Sequence, residues 1–342
     1  MKQDELYNKQ KVMLKEFISQ SCFYRAYLYY FKNKKNEIKS FCDNYFHDNS
    51  DSKKNWIEKD MKHWYIMRNI SPSQYWEQSF DLISKTAKQN MLPKNELYLF
   101  DKKYNPKSDI HLIGNKYECY ERFKEYYGRE CVLVKKSAGI GKDFEDFCAR
   151  KKKFIIKPLF NDSGVGVEVF TNGESEVPNY SFIAEEIIKQ SDDMAKFHPQ
   201  SVNTLRLNTI RCKDSIVVWQ CILRYGRGGN VVDNAHFGGV FSVIDDNGYA
   251  IAAGDVKRHK YTVHPDTGVP LIGFKVPEWE QACELVRHLA TKVGGLRYIG
   301  WDLAHTDKGW ILVEANTSPG ILPPMVTGVG VAKEFYSIKR RM

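Results

Sequence analysis

The segment YIGWDLAHTDKGWILVEANTSPG, residues 298–320, constrains this chain more than any other feature. Two apolar runs flank a turn at Asp307 and Gly309, the pattern of an antiparallel hairpin. Asp302 sits in the first run, and Glu314 and Asn316 sit in the second. Alternation at period two puts Glu314 and Asn316 on one face. Closing the hairpin brings Asp302 onto the neighbouring strand beside Glu314. Two carboxylates and one amide oxygen form a hard oxygen site, suited to Mg²⁺ held jointly with phosphates. Acids facing inward among apolar neighbours need a cation or a basic partner to offset their desolvation. The alternative is a solvent-exposed face carrying incidental acids.

A second constellation is FIIKPLFNDSGVGVEVF. Lys157 closes an apolar strand, and a turn follows through Asn161, Asp162, Ser163, Gly164, Val165 and Gly166. The two glycines let a phosphate approach the backbone, whose amides can form an anion nest beside the lysine charge. The spacing is neither that of a Walker A loop nor that of a dinucleotide fingerprint. An ordinary hairpin is the competing reading.

Basic residues on strands form a third group. HPQSVNTLRLNTIR supplies His198, Arg206 and Arg211, and SIVVWQCILRYGRGG supplies Arg224 and Arg227. Thr204, Arg206 and Asn208 share a face. Arginine is a natural clamp for phosphate or carboxylate. Arg206 is expected to face a cleft, Arg224 could face either way, and Arg211 and Arg227 are expected on the surface. His198, His236 and Lys257 are candidate substrate contacts, with packed or surface roles as the alternative.

The remaining pattern mixes helices and strands. Residues 1–92 read as a helical N-terminal region, including a helix running through YWEQSFDLISKTAKQN after Ser71 and Pro72. Its aromatic cluster, Phe23, Tyr24, Tyr27, Tyr29, Tyr30 and Phe31, reads either as a packed helix or as a surface for a membrane periphery or protein partner. YECYERFKEYYG, KDFEDFCARKK and VPEWEQACELVRHLATKVG read as helices. ECVLVKK, GVEVF, YSFIAEEII, TLRLNTIRC and GGVFSVI read as strands. No run approaches the length of a membrane span. The start, MKQDELYNKQKVMLKEF, carries acids and no continuous apolar stretch, so a cytoplasmic location is the expectation. Eight dispersed cysteines without a CxxC pair read as thiols and not as a zinc site. The net charge of +9 suits anionic small molecules, and no reader motif accompanies it to suggest nucleic acid.

Taken in order, Asn115-Lys116, FIIKPLFNDSGVGV, FIAEEII, HPQSVNTLR, IGWDLAHTDKG and ILVEANTSPG resemble the ATP-grasp superfamily. The nearest branch is that of sugar-transfer-associated or teichuronopeptide-biosynthesis-like proteins. The resemblance implies an α+β ATP-grasp fold with a nucleotide cleft between two α+β lobes. It implies a pre-ATP-grasp segment at 93–132, a smaller lobe at 133–192 and a C-terminal lobe with the metal site at 193–342. Lys116 and Lys157 then contact ATP phosphates, and Asp162, Ser163, Gly164, Val165 and Gly166 form the loop that closes over them. Glu185, Glu186 and Ile188 lie at the adenine hinge, with Glu185 near the amino group. Asp193 or its neighbour Asp192 meets the ribose. Asp302, Glu314 and Asn316 hold two Mg²⁺ ions, with Mn²⁺ able to replace them, and Arg206, Lys157 and Arg224 act on the transferred phosphate. The implied chemistry is ATP-dependent ligation of a small-molecule carboxylate to an amine or a sugar-linked acceptor, within surface polysaccharide or glycopeptide synthesis. A kinase acting on a small-molecule hydroxyl and a non-catalytic nucleotide-binding protein are the alternatives.

Overall fold

The computed structural model describes residues 21–160, 166–229 and 238–342. They form two compact units, divided between Tyr98 and Leu99.

The first unit is helical. Three longer helices, Cys22–Phe31, Lys34–Tyr45 and Asp51–Arg68, surround a core that includes Ile38, Ile57, Met61, Trp64, Tyr75 and Phe80. The third begins at Ser50, whose hydroxyl accepts from the Lys53 amide, and ends at Asn69 in the left-handed conformation. The single helix expected through YWEQSFDLISKTAKQN is instead two short ones, Pro72–Glu77 and Lys85–Gln89. Ser79 adopts a φ of 53°, which ends the first, and the Ser84 hydroxyl caps the second by accepting from the Ala87 amide. Within the aromatic cluster Tyr29 turns into the core, while Phe23, Tyr24, Tyr27, Tyr30 and Phe31 are exposed.

The second unit carries two sheets. Helices Lys107–Gly114 and Lys116–Tyr127 lead into it, and Gly128 reverses the chain with a φ of 58°. Strands β1 (Cys131–Val134), β2 (Lys153–Pro158), β3 (Glu168–Thr171) and β4 (Phe182–Glu185) then form an antiparallel sheet in the order β1-β4-β2-β3. Helix Lys142–Arg150 covers it with Phe144 and Phe147, which pack with Phe154, Phe170 and Phe182.

The second sheet is antiparallel and six-stranded, in the order β10-β9-β5-β6-β7-β8. Its strands are β5 (Thr204–Arg211), β6 (Ile216–Tyr225), β7 (Val240–Ile244), β8 (Ala250–Gly254), β9 (Tyr298–Thr306) and β10 (Gly309–Thr317). Helix Trp279–Thr291 buries Ala282, Cys283, Val286, Leu289 and Ala290, a helical stripe, among Leu205, Leu207, Trp301 and Leu303. The opposite face of these strands carries the polar residues of the site.

One irregularity in this sheet sets the chemistry. Strict alternation on β10 would place Leu312 and Glu314 on the same face. A bulge between them leaves Val313 without a partner on β9, so Leu312 stays opposite Leu303 in the core and Glu314 pairs with Asp302.

Candidate functional site

Strand register aligns three charged residues in one row. Arg206 on β5 lies opposite Asp302 on β9, and Asp302 lies opposite Glu314 on β10. Arg206 grips Asp302 through two nitrogens: Nε donates to Oδ1, and Nη2 donates to Oδ2 at 2.7 Å. From β6, Arg224 places Nη2 2.8 Å from the same Oδ2 and donates to the Thr204 hydroxyl at 2.7 and 2.9 Å. Asn316 Nδ2 donates to Glu314 at 3.0 Å and to Asp302 at 3.3 Å. Asp302 is fully buried. Burial opposes its ionisation, but the Arg206 and Arg224 charges outweigh that and hold the carboxyl well below the usual range. Glu314 goes the other way: burial first, and then the Asp302 charge, push its carboxyl up. The two arginines of this acidic pair are ion-paired with Asp302, while the Lys157 charge only partly offsets the rise at Glu314.

Gly300 makes room for the row. A Cβ there would lie 2.7 Å from Pro319 Cβ and 3.2 Å from the Arg206 Cδ.

These residues floor a cavity of about 920 Å³. One wall, from the four-stranded sheet, supplies Ile155, Lys157 and Val169, and the chain after β4 supplies Glu186, Ile187 and Ile188. Lys157 comes from β2 and pairs with the buried Glu185 of the adjacent β4. Glu185 was anticipated near an adenine amino group. It lines the cavity, and its carboxylate pairs with Lys157 and Arg129, because a fully buried carboxylate takes the nearest cations. Burial raises the Glu185 carboxyl, and the Arg129 and Lys157 charges overcome that to leave it below its ordinary value. The other hinge acid, Glu186, pairs with Lys151.

The remaining candidates separate cleanly. Asp192 lines the cavity, whereas Asp193 turns to Lys196 at 3.5 Å and does not. Lys116 borders a smaller adjoining cavity, shared with Lys157, Glu185, Glu314 and Asn316. His198 is a packed residue: Nε2 donates to the Gly228 carbonyl at 2.8 Å, and Nδ1 accepts from the Ser201 amide. Lys257 is exposed on the loop after β8. Arg211 is peripheral, bonded to the Gly294 carbonyl, and Arg227 lies 3.5 Å from Asp266. Gly166 has a φ of 76°. Asp162, Ser163, Gly164, Val165 and His236 lie outside the described residues.

Two residues escaped sequence reasoning. Arg129 is buried, and besides Glu185 it donates to the carbonyls of Tyr127, Leu312 and Val313, the last two at 2.7 and 3.1 Å. It therefore occupies the acceptors exposed by the β10 bulge and ties them to the acid that holds Lys157. Asp101, also buried, accepts from Asn105 Nδ2 at 2.7 Å and from the Ser318 hydroxyl, fixing the turn Ser318–Gly320 that edges the cavity. The YYGREC context of Arg129 offered one signal, a charge placed against an apolar strand.

Residues 173–340 match the family model for sugar-transfer-associated ATP-grasp proteins. That segment belongs to the family. The two sheets and the cleft between them are the ATP-grasp-like α+β architecture. A search of curated proteins gives no match. Among solved structures, N5-carboxyaminoimidazole synthetase from Staphylococcus aureus, complexed with ADP, is 12% identical with a TM-score of 0.41. That alignment covers 68% of this chain and 52% of the other, so the chain spans about half of that relative's length. D-alanine-D-alanine ligase from Helicobacter pylori is 15% identical over 68% of this chain and 61% of its own, with a TM-score of 0.43. The Bacillus anthracis D-alanine-D-alanine ligase complexed with ATP is 12% identical over 67% and 66%, also at 0.43. At these scores the assignment of this ATP-grasp protein rests on the family match.

Proposed function

We propose that this chain is an ATP-dependent ligase that activates a carboxylate as an acyl phosphate and couples it to an amine. The observation carrying this reading is the row Arg206–Asp302–Glu314, which lays charges of both signs across three strands on the floor of one cavity. The cavity's volume of about 920 Å³ is at the upper end of the usual range for ligand pockets, roughly 300–1,000 Å³, and leaves room for a nucleotide beside a second small molecule.

The apolar wall of Ile155, Val167, Val169 and Val313 suits a nucleobase, with the backbone at Glu186–Ile188 along its edge and Asp192 toward the ribose. Lys157, Arg206 and Arg224 would then face the phosphates, with Lys116 behind them. Asp302, Glu314 and Asn316 fit Mg²⁺: the donor set is hard oxygen, and the raised Glu314 carboxyl marks where a positive charge is short. Among the described residues no three of His, Cys, Asp and Glu form a metal group, and Asn316, whose Nδ2 here faces both acids, would have to turn its Oδ1 inward to serve as the third donor. Bound there, Mg²⁺ supplies charge that polarises the transferring phosphoryl group.

In the first step a substrate carboxylate oxygen attacks the γ-phosphorus, the bond to the bridging oxygen breaks, and ADP leaves. The amine then attacks the acyl carbon and phosphate departs. Arg206, Arg224 and Lys157 offset charge on the phosphoryl oxygens in both steps. The family's link to sugar transfer supports a sugar-linked substrate.

The test is ADP formation from Mg-ATP with pooled carboxylates, amines and amino sugars, with phosphate measured in the same samples. Substrate-dependent ADP with free phosphate, lost in Asp302→Asn and Glu314→Gln, is the expected outcome. ADP without free phosphate would replace the ligase by a kinase, and no Mg-ATP binding would remove the nucleotide site.

A further inference from the structure

Helix Cys22–Phe31 of the first unit is amphipathic in reverse. It buries Arg25 and Tyr29. Arg25 donates to the carbonyls of Ile66 at 2.8 Å and Met67 at 3.3 Å, on the helix Asp51–Arg68. Five other aromatic residues, Phe23, Tyr24, Tyr27, Tyr30 and Phe31, are exposed, Phe23 and Phe31 most of all at 83% and 74%. Spacings of three and four residues join them into one stripe along the helix. Tyr27 stacks between Tyr24 and Phe31, with ring centroids 6.3 and 5.5 Å away. The stripe leaves roughly 450–750 Å² of aromatic surface in water, at or above the largest apolar patch of an ordinary monomer. Rolling it inward would break both Arg25 bonds.

The charge beside the stripe is basic. Lys62 of the neighbouring helix donates to the Tyr30 hydroxyl at 2.7 Å and lies 4.7 Å from the centroid of that ring. Lys59 is one turn before it, and Lys32, Lys34, Lys35 and Lys39 follow Phe31. Lys32, Lys35 and Lys59 are exposed and pair with no acid among the described residues. Glu37, the one acid in the run after Phe31, is held by Lys34.

We propose that this stripe docks the protein on an anionic lipid bilayer, with the helix lying flat in the interface. The proposal stands apart from the ligase reading. The phenylalanine rings enter the boundary of the acyl chains, and the tyrosine hydroxyls and lysine amines stay among the headgroups and meet lipid phosphate. A helix of 10 residues is too short to span the bilayer. Rings standing out on one helix, flanked by unpaired amines, suit a soft anionic surface, whereas a protein partner would have to bring a matching groove.

The experiment floats the full chain with phosphatidylcholine vesicles, made with and without phosphatidylglycerol, at rising salt. The chain binds the anionic vesicles at least about tenfold more tightly than the neutral ones, and salt weakens the binding. Phe23→Ala and Phe31→Ala each weaken it by about tenfold without lowering the thermal midpoint, because neither ring lies in the core. Lys32→Gln together with Lys35→Gln weakens anionic binding roughly thirtyfold and leaves neutral binding unchanged. Phe23→Trp keeps the affinity and gains tryptophan quenching by brominated lipid over the wild-type chain. No vesicle binding, equal binding to neutral and anionic vesicles, or affinity unchanged in both alanine variants overturns the lipid surface. Self-association lost in those variants, without vesicle binding, gives the stripe to a second copy of the chain instead.

Discussion

Replacing Arg129 by methionine tests the least visible part of the site. The side chain is nearly inaccessible, 3% exposed, and it serves Glu185 and three backbone carbonyls at once. Removing it leaves Glu185 buried with Lys157 as its remaining cation and strands the carbonyls of Leu312 and Val313 at the β10 bulge. Breaking a buried ion pair costs about 3–5 kcal/mol, and each orphaned acceptor adds about 1–3 kcal/mol. Lys157 stays in place and relaxation recovers part of the rest, so the low end applies, about 4 kcal/mol. For a unit of this size that lowers the thermal midpoint by about 8–16 °C. The double variant Arg129→Met with Glu185→Met removes both charges and recovers at least half of that loss, since apolar replacement of a buried pair is often neutral. The pH dependence follows from the depressed Glu185 carboxyl. Its contribution is fully present above the unfolded carboxylate value, about 4.3, and is lost as pH falls through the lower folded value. Without Arg129 the folded value moves up toward or past the unfolded one, so acidification costs the variant less stability than it costs the wild type. Calorimetry from pH 3 to pH 7 reads all of this. A midpoint loss below 2 °C for Arg129→Met, or a double variant no better than the single, would refute the argument that the pair is closed to solvent and coupled.

Two further outcomes follow from the site's geometry. Gly300→Ala puts a methyl 2.7 Å from Pro319 Cβ and 3.2 Å from Arg206 Cδ, so Arg206 must shift from Asp302. Overpacking costs about 1–3 kcal/mol and misplacing the guanidinium lowers turnover by roughly a hundredfold, read by ADP release; full activity would show that Arg206 has slack. Asp101→Ala frees the Ser318 hydroxyl and leaves Asn105 Nδ2 only its bond to the Tyr298 carbonyl, costing about 1–3 kcal/mol, and hydrogen exchange should quicken at residues 317–322 while the β2–β4 amides stay protected; unchanged exchange there would exclude the tether.

The legible residues are those that break their local pattern. Asp302, Glu314 and Asn316 interrupt apolar strands, and Lys157 ends one, so each announces a partner that the sequence does not name. Their common face was also legible, but for an incomplete reason. Alternation alone would have carried Leu312 to the same face, and it is the bulge at Val313 that separates the core residue from the acid. The strand Ala250–Gly254 went unread because small residues carry little strand signal, and the break after Glu77 was hidden by an apolar spacing that continues across it. The ion partners of Glu185 are not legible because FIAEEII gives the faces of two acids and not the strand beside them. Pairing of β4 with β2 puts Lys157 within reach, and the chain entering β1 delivers Arg129. Arg129 has the deepest reason for being missed. It acts on the carbonyls of residues 183 and 184 positions away, and backbone carbonyls exist at every residue. What makes those two special is the bulge, a property of how β10 pairs with β9. The bulge aims Glu314, exposes the carbonyls, and so calls for a buried donor that then holds Glu185 and, through it, Lys157. One extra residue in a strand thereby couples the acidic end of the cleft to its lysine, a connection that composition and spacing could not have contained.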